Sequence, residues 1–357
     1  MIDYATPNPA TDAGSYAAIR EIELLRALGC KVTFVPENMA HVGALTRDLQ
    51  RHGVEVLFAP EYRNVHDVLR KRGKEFDCVY VTRFEVAERY LDTVRAHTNA
   101  KVVFCNADLH FLRQLRSQIA NGETDLSQSL RVRDRELGLI RRVDAMLTYS
   151  SVEQAVVLSH NLKSDNIYTC PWVLDVKPHG PGFAERSGIA FLGSFRHPPN
   201  LEAVRFLVAE ILPELRRIRP DIKLHVYGSN VSKDVLDFAQ DDIVIEGFVE
   251  SLDDLFMKHR VFVAPLKSGA GIKGKVLEAM GYGTPSVLTP VAAEATGLQN
   301  GVSALISESA SDLARDIARL YDDAALWAKV SDRSRELAEA KFSRAEGLRA
   351  FEALLSG

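Results

Sequence analysis

The residues best suited to chemistry lie in VFVAPLKSGAGIKGKVLE, between Val261 and Glu278. Val261–Pro265 is a short apolar run that reads as a buried strand. A turn follows with three glycines, Gly269, Gly271 and Gly274, and two lysines, Lys273 and Lys275. The next residues fit a helix that carries one acid, Glu278. A glycine-rich turn at a helix N-terminus leaves backbone N–H groups unpaired and lets them approach a ligand closely. The helix dipole then favours an anion. Gly271, Ile272, Lys273, Gly274, Lys275 and Val276 therefore read as a cradle for a di- or polyphosphate. Arg196 follows another apolar run, Ile189–Leu192, and a guanidinium there can grip a phosphate through two parallel hydrogen bonds. His110 and Asp108 form a polar pair just past Val102–Cys105, although a lone histidine is more often structural. The other nine of the ten histidines offer no metal-ligand spacing, so no metal is implied.

These groups need a scaffold, and the chain supplies one in its alternation. Short β-branched runs alternate with amphipathic segments from end to end, the pattern of parallel sheets covered by helices on both faces. The first series of strands is Ile2–Ala5, Val32–Val35, Val54–Ala59, Cys78–Thr82, Val102–Cys105 and Ala145–Tyr149, with helices such as Ser15–Leu28 and Asp125–Arg142 between them. A second series runs through Ile189–Leu192, Leu224–Tyr227, Ile243–Ile245, Val261–Pro265, Ser286–Leu288 and Ala304–Ile306. Between them Lys177-Pro-His-Gly-Pro-Gly182 is dense in breakers and reads as the linker. The expectation is an α/β chain of two doubly wound, Rossmann-like domains facing across a cleft, over residues 1–180 and 181–341. Residues 342–357 form a last helix, expected to pack back on the first domain. In such sheets ligands collect at the carboxyl ends of strands, where the cradle, Arg196 and His110 all fall.

Composition narrows the class. With 357 residues the chain exceeds one ordinary core, and 46% hydrophobic with 26% charged residues is the balance of a soluble globular protein. A net charge of -4 argues against a nucleic-acid partner, although Arg113 to Arg142 is locally rich in arginine. The four cysteines are scattered without C-x-x-C spacing, and three lie at or in strands as small buried hydrophobes. No apolar run approaches a membrane span and no signal pattern opens the chain, which reads as cytoplasmic. The first strand begins almost at Met1, which reads either as a clipped edge or as a chain cut from a longer polypeptide, the second being preferred.

Three patterns match the phosphate loop. Gly269-Ala-Gly271-Ile-Lys-Gly274 satisfies the dinucleotide fingerprint G-x-G-x-x-G and would imply a nicotinamide-dependent oxidoreductase. It follows about the fourth strand of its domain rather than the first, and Leu288-Thr289-Pro290 lacks the expected acid. Gly269 to Lys275 also fits G-x-x-x-x-G-K, but Val276 stands where a magnesium-binding hydroxyl is needed. The third pattern spans nearly the whole chain. Phe191-Leu-Gly-Ser-Phe-Arg-His-Pro-Pro-Asn200, Gly247-Phe-Val249, Val263-Ala-Pro265 and Lys275-Val-Leu-Glu-Ala-Met-Gly-Tyr-Gly-Thr-Pro285, with Asp12-Ala-Gly-Ser15 and Asp108-Leu-His110 ahead of them, resemble the retaining GT-B glycosyltransferases of family 4, also called group 1.

That resemblance implies a retaining, metal-independent transfer of a hexosyl or deoxyhexosyl group from a nucleotide diphosphate sugar to an acceptor hydroxyl, with the nucleotide sugar as donor substrate and no cofactor. It assigns Glu278 to the ribose hydroxyls, Arg196 and a lysine (Lys273 or Lys275) to the diphosphate, and Phe248 and Val249 to the base. Gly14 and Ser15 bring amides towards the phosphate, and His110 with Asp108 attends the transferred sugar. Each has a plainer reading: a solvated helix glutamate, a strand-to-loop turn, a helix cap. Two departures stand out. Ala270 replaces a family glutamate, and Leu201 fills the slot of a family lysine. The implied partners are a glycan or lipid-linked glycan acceptor and, in surface polysaccharide assembly, the inner face of the cytoplasmic membrane. A non-catalytic nucleotide-sugar-binding module of a larger assembly is the alternative.

Overall fold

The computed structural model describes residues 1–9, 13–160 and 165–356. Asp12, at the head of the Asp12-Ala-Gly-Ser15 motif, lies outside them. The chain divides into two compact units, Met1–Val173 with Arg344–Gly357, and Leu174–Ser343.

In the first unit the strands are β1 (Ile2–Asp3), β2 (Thr33–Pro36), β3 (Glu55–Val56), β4 (Cys78–Thr82), β5 (Lys101–Asn106), β6 (Ala145–Thr148) and β7 (Ile167–Thr169). All pair in parallel, in the order β3-β2-β1-β4-β5-β6-β7. The second unit holds β8 (Ile189–Leu192), β9 (Leu224–Tyr227), β10 (Ile243–Gly247), β11 (Val261–Ala264), β12 (Ser286–Leu288) and β13 (Leu305–Ile306). These too are parallel, in the order β10-β9-β8-β11-β12-β13. Both are doubly wound sheets. Their strand order reverses between β1 and β4 in one unit and between β8 and β11 in the other. Such reversals are where open α/β sheets bind ligands.

Burial explains the elements. All four residues of β11 are fully buried, as expected of a parallel strand covered on both faces. Helix Ala310–Asp322 buries Leu313, Ala314, Ile317, Leu320 and Tyr321 at helical spacing, and the Ser309 hydroxyl caps it by accepting from the Asp312 N–H at 3.1 Å.

The units divide at Val173/Leu174 rather than near residue 180. The breaker-rich segment belongs to the second unit, where the Lys177 N–H donates to the Gly281 carbonyl at 3.0 Å and the Lys177 ammonium lies over the Tyr282 ring. Helix Arg344–Ser356 belongs to the first unit. Gly347 sits tight against Val173 and Leu24, Phe351 stacks on Tyr80, and the Lys101 ammonium reaches the Leu354 carbonyl. Of the strand-associated cysteines, Cys105 is buried while Cys30 and Cys78 are half-exposed; all four cysteines are free thiols. Among the described residues no helix is long and apolar enough to cross a membrane.

Candidate functional site

At the reversal in the second unit, β11 runs into the glycine loop. The loop is pinned outside its glycines: the Thr289 hydroxyl donates to the Leu266 carbonyl at 2.6 Å and the Ser268 hydroxyl to the Glu202 carboxylate at 2.7 Å. Gly269 (φ +125°) and Gly271 (φ +69°) adopt backbone that L residues rarely reach. The chain then enters helix Gly274–Gly281 through Lys273 as its N-cap. Among the described residues the Gly274 and Lys275 N–H groups have no protein acceptor.

The two lysines differ sharply. Lys273 is 8% exposed, and its ammonium turns back to donate to the Gly271 carbonyl at 2.6 Å and the Ala270 carbonyl at 3.4 Å, with the Glu294 carboxylate 3.9 Å away. Lys275 is half-buried and donates to Asn200 Oδ1 at 2.6 Å, its ammonium 4.7 Å from the centre of the Phe191 ring. Among the described residues no carboxylate pairs with it. Burial, and then the charge of Lys273, push its pKa down to about 7.

The neighbouring strand β8 supplies the other wall. Arg196 stands exposed in the turn between β8 and helix Pro198–Phe206, without an ion pair among the described residues. Asn200, in the first turn of that helix, donates to the Ser194 carbonyl at 2.8 Å while it receives Lys275. One amide thus ties the Arg196 turn to the glycine loop. Glu278 lies half-buried one turn into its helix, and Val276 is fully buried. Gly247-Phe248-Val249 closes β10, two strands from β8 and so roughly 10 Å across the sheet. Phe248 is 51% exposed there, and Val249 packs on the core. Ile272 is half-exposed in the loop itself.

The first unit holds the remaining residues. His110 opens helix His110–Ala120, with Nδ1 3.2 Å from Glu85 Oε1 and Nε2 3.5 Å from Asp108 Oδ1. Asp108 also pairs with Arg113 at 2.6 Å. Burial outweighs the Asp108 carboxylate and lowers the His110 pKa, which favours the neutral ring. Gly14 and Ser15 lie within the first turn of helix Ala13–Ala27, not ahead of it, and Ser15 is buried.

Sequence reasoning missed the supports. Glu136 accepts the His110 and Phe111 N–H groups at 3.1 Å each, and Glu153 accepts that of Leu109 at 3.0 Å. Both glutamates are buried and fill the N-terminus of the His110 helix with carboxyl oxygens, and burial raises the Glu136 pKa to about 8. At the reversal between β1 and β4, Arg83 has φ +68°, pairs with buried Asp3 at 2.9 Å and lies over the Tyr4 ring. A helical glutamate and a strand-end arginine carry no local signal of such roles. Among the described residues no group of three or more His, Cys, Asp or Glu side chains is disposed to hold a metal ion.

Comparison with known proteins bears on the fold and on the second unit's sequence pattern. Residues 186–323 match the family described as glycosyl transferases group 1. An uncharacterized 44.6 kDa protein in the cps region of Klebsiella pneumoniae is 26% identical over 128 residues, a match that spans 33% of each chain. The structure of Anabaena HepE in complex with UDP is similar over 100% of this chain and 99% of its own, at 14% identity and a TM-score of 0.75. Sucrose-phosphate synthase from Thermosynechococcus elongatus matches over 99% and 97%, at 16% identity and the same TM-score of 0.75. The match to S. aureus TarM spans 60% of that protein's chain. The chain thus resembles the group 1 glycosyltransferases, with their GT-B fold in its two units and the family's sequence pattern over residues 186–323.

Proposed function

We propose that this chain is a retaining, metal-independent glycosyltransferase that moves a hexosyl or deoxyhexosyl group from a nucleotide diphosphate sugar to an acceptor hydroxyl. The observation that carries this reading is the reversal between β8 and β11, where a glycine loop, a helix N-terminus and two cations without carboxylate partners converge. An anion with several charged oxygens complements that set, and a diphosphate is the natural one. In the transfer, the bond between the anomeric carbon and the β-phosphate oxygen breaks and its electron pair leaves with the diphosphate. The acceptor oxygen bonds the same carbon, and its proton passes to the departing phosphate. The protein's task is to stabilise that leaving charge with fixed dipoles and cations.

Glu278 is assigned to the ribose hydroxyls and exposed Phe248 to the base. The first unit, with His110, is assigned to the acceptor side. UDP in HepE, and UDP with GlcNAc in the similar pneumococcal O-GlcNAc transferase GtfA, make a uridine donor the first to try. The cps-region relative directs the acceptor search to bacterial surface glycans and lipid-linked glycans. Incubation with labelled UDP-, GDP-, ADP- and dTDP-sugars and such acceptors tests the reading. Labelled glycan together with released diphosphate is expected; binding without release would instead support a nucleotide-sugar-binding module, a reading that Ala270 favours.

A further inference from the structure

We propose that Lys275, seated by Asn200, is the catalytic cation that holds the leaving diphosphate, and that Lys273 is a strut of the loop. This rests on the glycosyltransferase reading above and says which lysine does the work.

The two ammonium groups have opposite surroundings. Lys273 spends its hydrogen bonds on the carbonyls of Gly271 and Ala270 and has Glu294 nearby, so its charge is already answered within the loop. It stabilises the reversed turn from inside. Lys275 sits in the first turn of a helix, where a positive charge opposes the dipole. Its polar contact is a neutral amide, it lies over an aromatic face, and Lys273 repels it. In the free protein the charge meets only an amide oxygen and an aromatic face, and no carboxylate among the described residues. A diphosphate against the Gly274 and Lys275 amides would answer it.

Asn200 makes the arrangement specific. Its amide is 9% exposed and bridges the Ser194 carbonyl and Lys275, fixing the distance between the Arg196 turn and the lysine. Gly193 leaves room for it, since a Cβ there would lie 2.7 Å from Asn200 Cγ. The next residue, Leu201, packs on the core, so helix Pro198–Phe206 offers no cation of its own at this point. Lys275 supplies one from the opposite wall. The other charged groups around the site are Arg196 and His197 in the β8 turn, Glu202 bonded to Ser268, Glu278 further along the lysine's own helix, and Glu294 beside Lys273.

Diphosphate binding should therefore draw a proton onto Lys275. Calorimetric titration of UDP, GDP, ADP, dTDP and the matching monophosphates into the wild-type chain comes first; if none binds, the nucleotide-sugar reading itself fails. Given a diphosphate that binds, Lys275→Ala is expected to weaken it by about 10–100-fold, the scale of losing a charged hydrogen bond, with little change for the monophosphate. Wild-type affinity should fall as pH rises above about 7, by up to about tenfold per pH unit. Lys275→Arg, which keeps its charge, should retain binding and flatten that profile. Asn200→Asp should move the midpoint of the profile to higher pH, a change that a purely structural role would not produce. Thermal unfolding of each variant confirms that it is folded. Unchanged diphosphate affinity in Lys275→Ala, or an Asn200→Asp profile that coincides with wild type, overturns the proposal.

Discussion

The two sheets share a strand order and differ in charge at the point where that order reverses. In the first unit the strong groups described near the reversal have partners: Arg83 pairs with Asp3 and, one strand further along, the N-terminus of the His110 helix meets the buried carboxyl groups of Glu136 and Glu153. In the second unit the helix N-terminus carries lysines instead, and neither Arg196 nor Lys275 has a carboxylate partner among the described residues. One topology thus carries a matched polar framework in one unit and, in the other, the set of groups proposed above to bind an anion. Topology chooses where a ligand can sit, and local charge decides whether an anion will.

The contrast can be broken most severely at Arg196. Arg196→Ala should lower turnover by about 10²–10³-fold, or roughly 3–4 kcal/mol, by comparison with loss of an oxyanion-hole donor. Steady-state kinetics with a turned-over donor would measure it, and a near-normal rate would reject the assignment.

The first unit should answer pH through its stability rather than its ligand affinity. Glu21 is buried beneath Tyr80 and Tyr149, whose hydroxyls donate to it, and burial raises its pKa from an ordinary 4.5 to about 7. The folded state therefore holds this proton more tightly than the unfolded chain. Its contribution is complete below about pH 4.5 and is lost as pH rises through 7, by on the order of 3 kcal/mol. Denaturant melts at pH 5 and pH 8 should show the loss, and Glu21→Gln should reduce it.

Two smaller effects sharpen the contrast. Glu136→Ala leaves two buried N–H groups without their acceptor and should cost about 2 kcal/mol of stability. Nucleotide affinity should not change, because the residue serves the matched framework; a large loss of affinity would mean that the two units do not divide the work as described. Glu278→Ala should weaken diphosphate nucleotide binding by about tenfold at unchanged stability, again by calorimetry, since one charged hydrogen-bond partner is removed.

Much of the fold was legible in the residues because a buried parallel strand needs a continuous apolar run. Cys78–Thr82, Ile189–Leu192, Leu224–Tyr227 and Ser286–Leu288 were read to the residue for that reason. Strand β7, Ile167-Tyr168-Thr169, was missed: it is a short edge strand with one buried residue, and too little of it faces the core to leave a pattern. The glycine loop was legible because its backbone shape demands glycine. Asn200, Glu136 and Glu153 were not, since each acts through a partner between 25 and 75 residues away. The different surroundings of the two lysines were also hidden. They are two positions apart in the same turn, and only three-dimensional packing sends one inward and leaves the other facing Asn200.

The most direct test is a crystal structure of the chain soaked with the diphosphate nucleotide it binds best. Phosphate oxygens are expected within hydrogen-bond reach of the Gly274 and Lys275 amides, the Lys275 ammonium and the Arg196 guanidinium. A nucleotide seated elsewhere, with the loop between β11 and helix Gly274–Gly281 empty, would contradict that expectation.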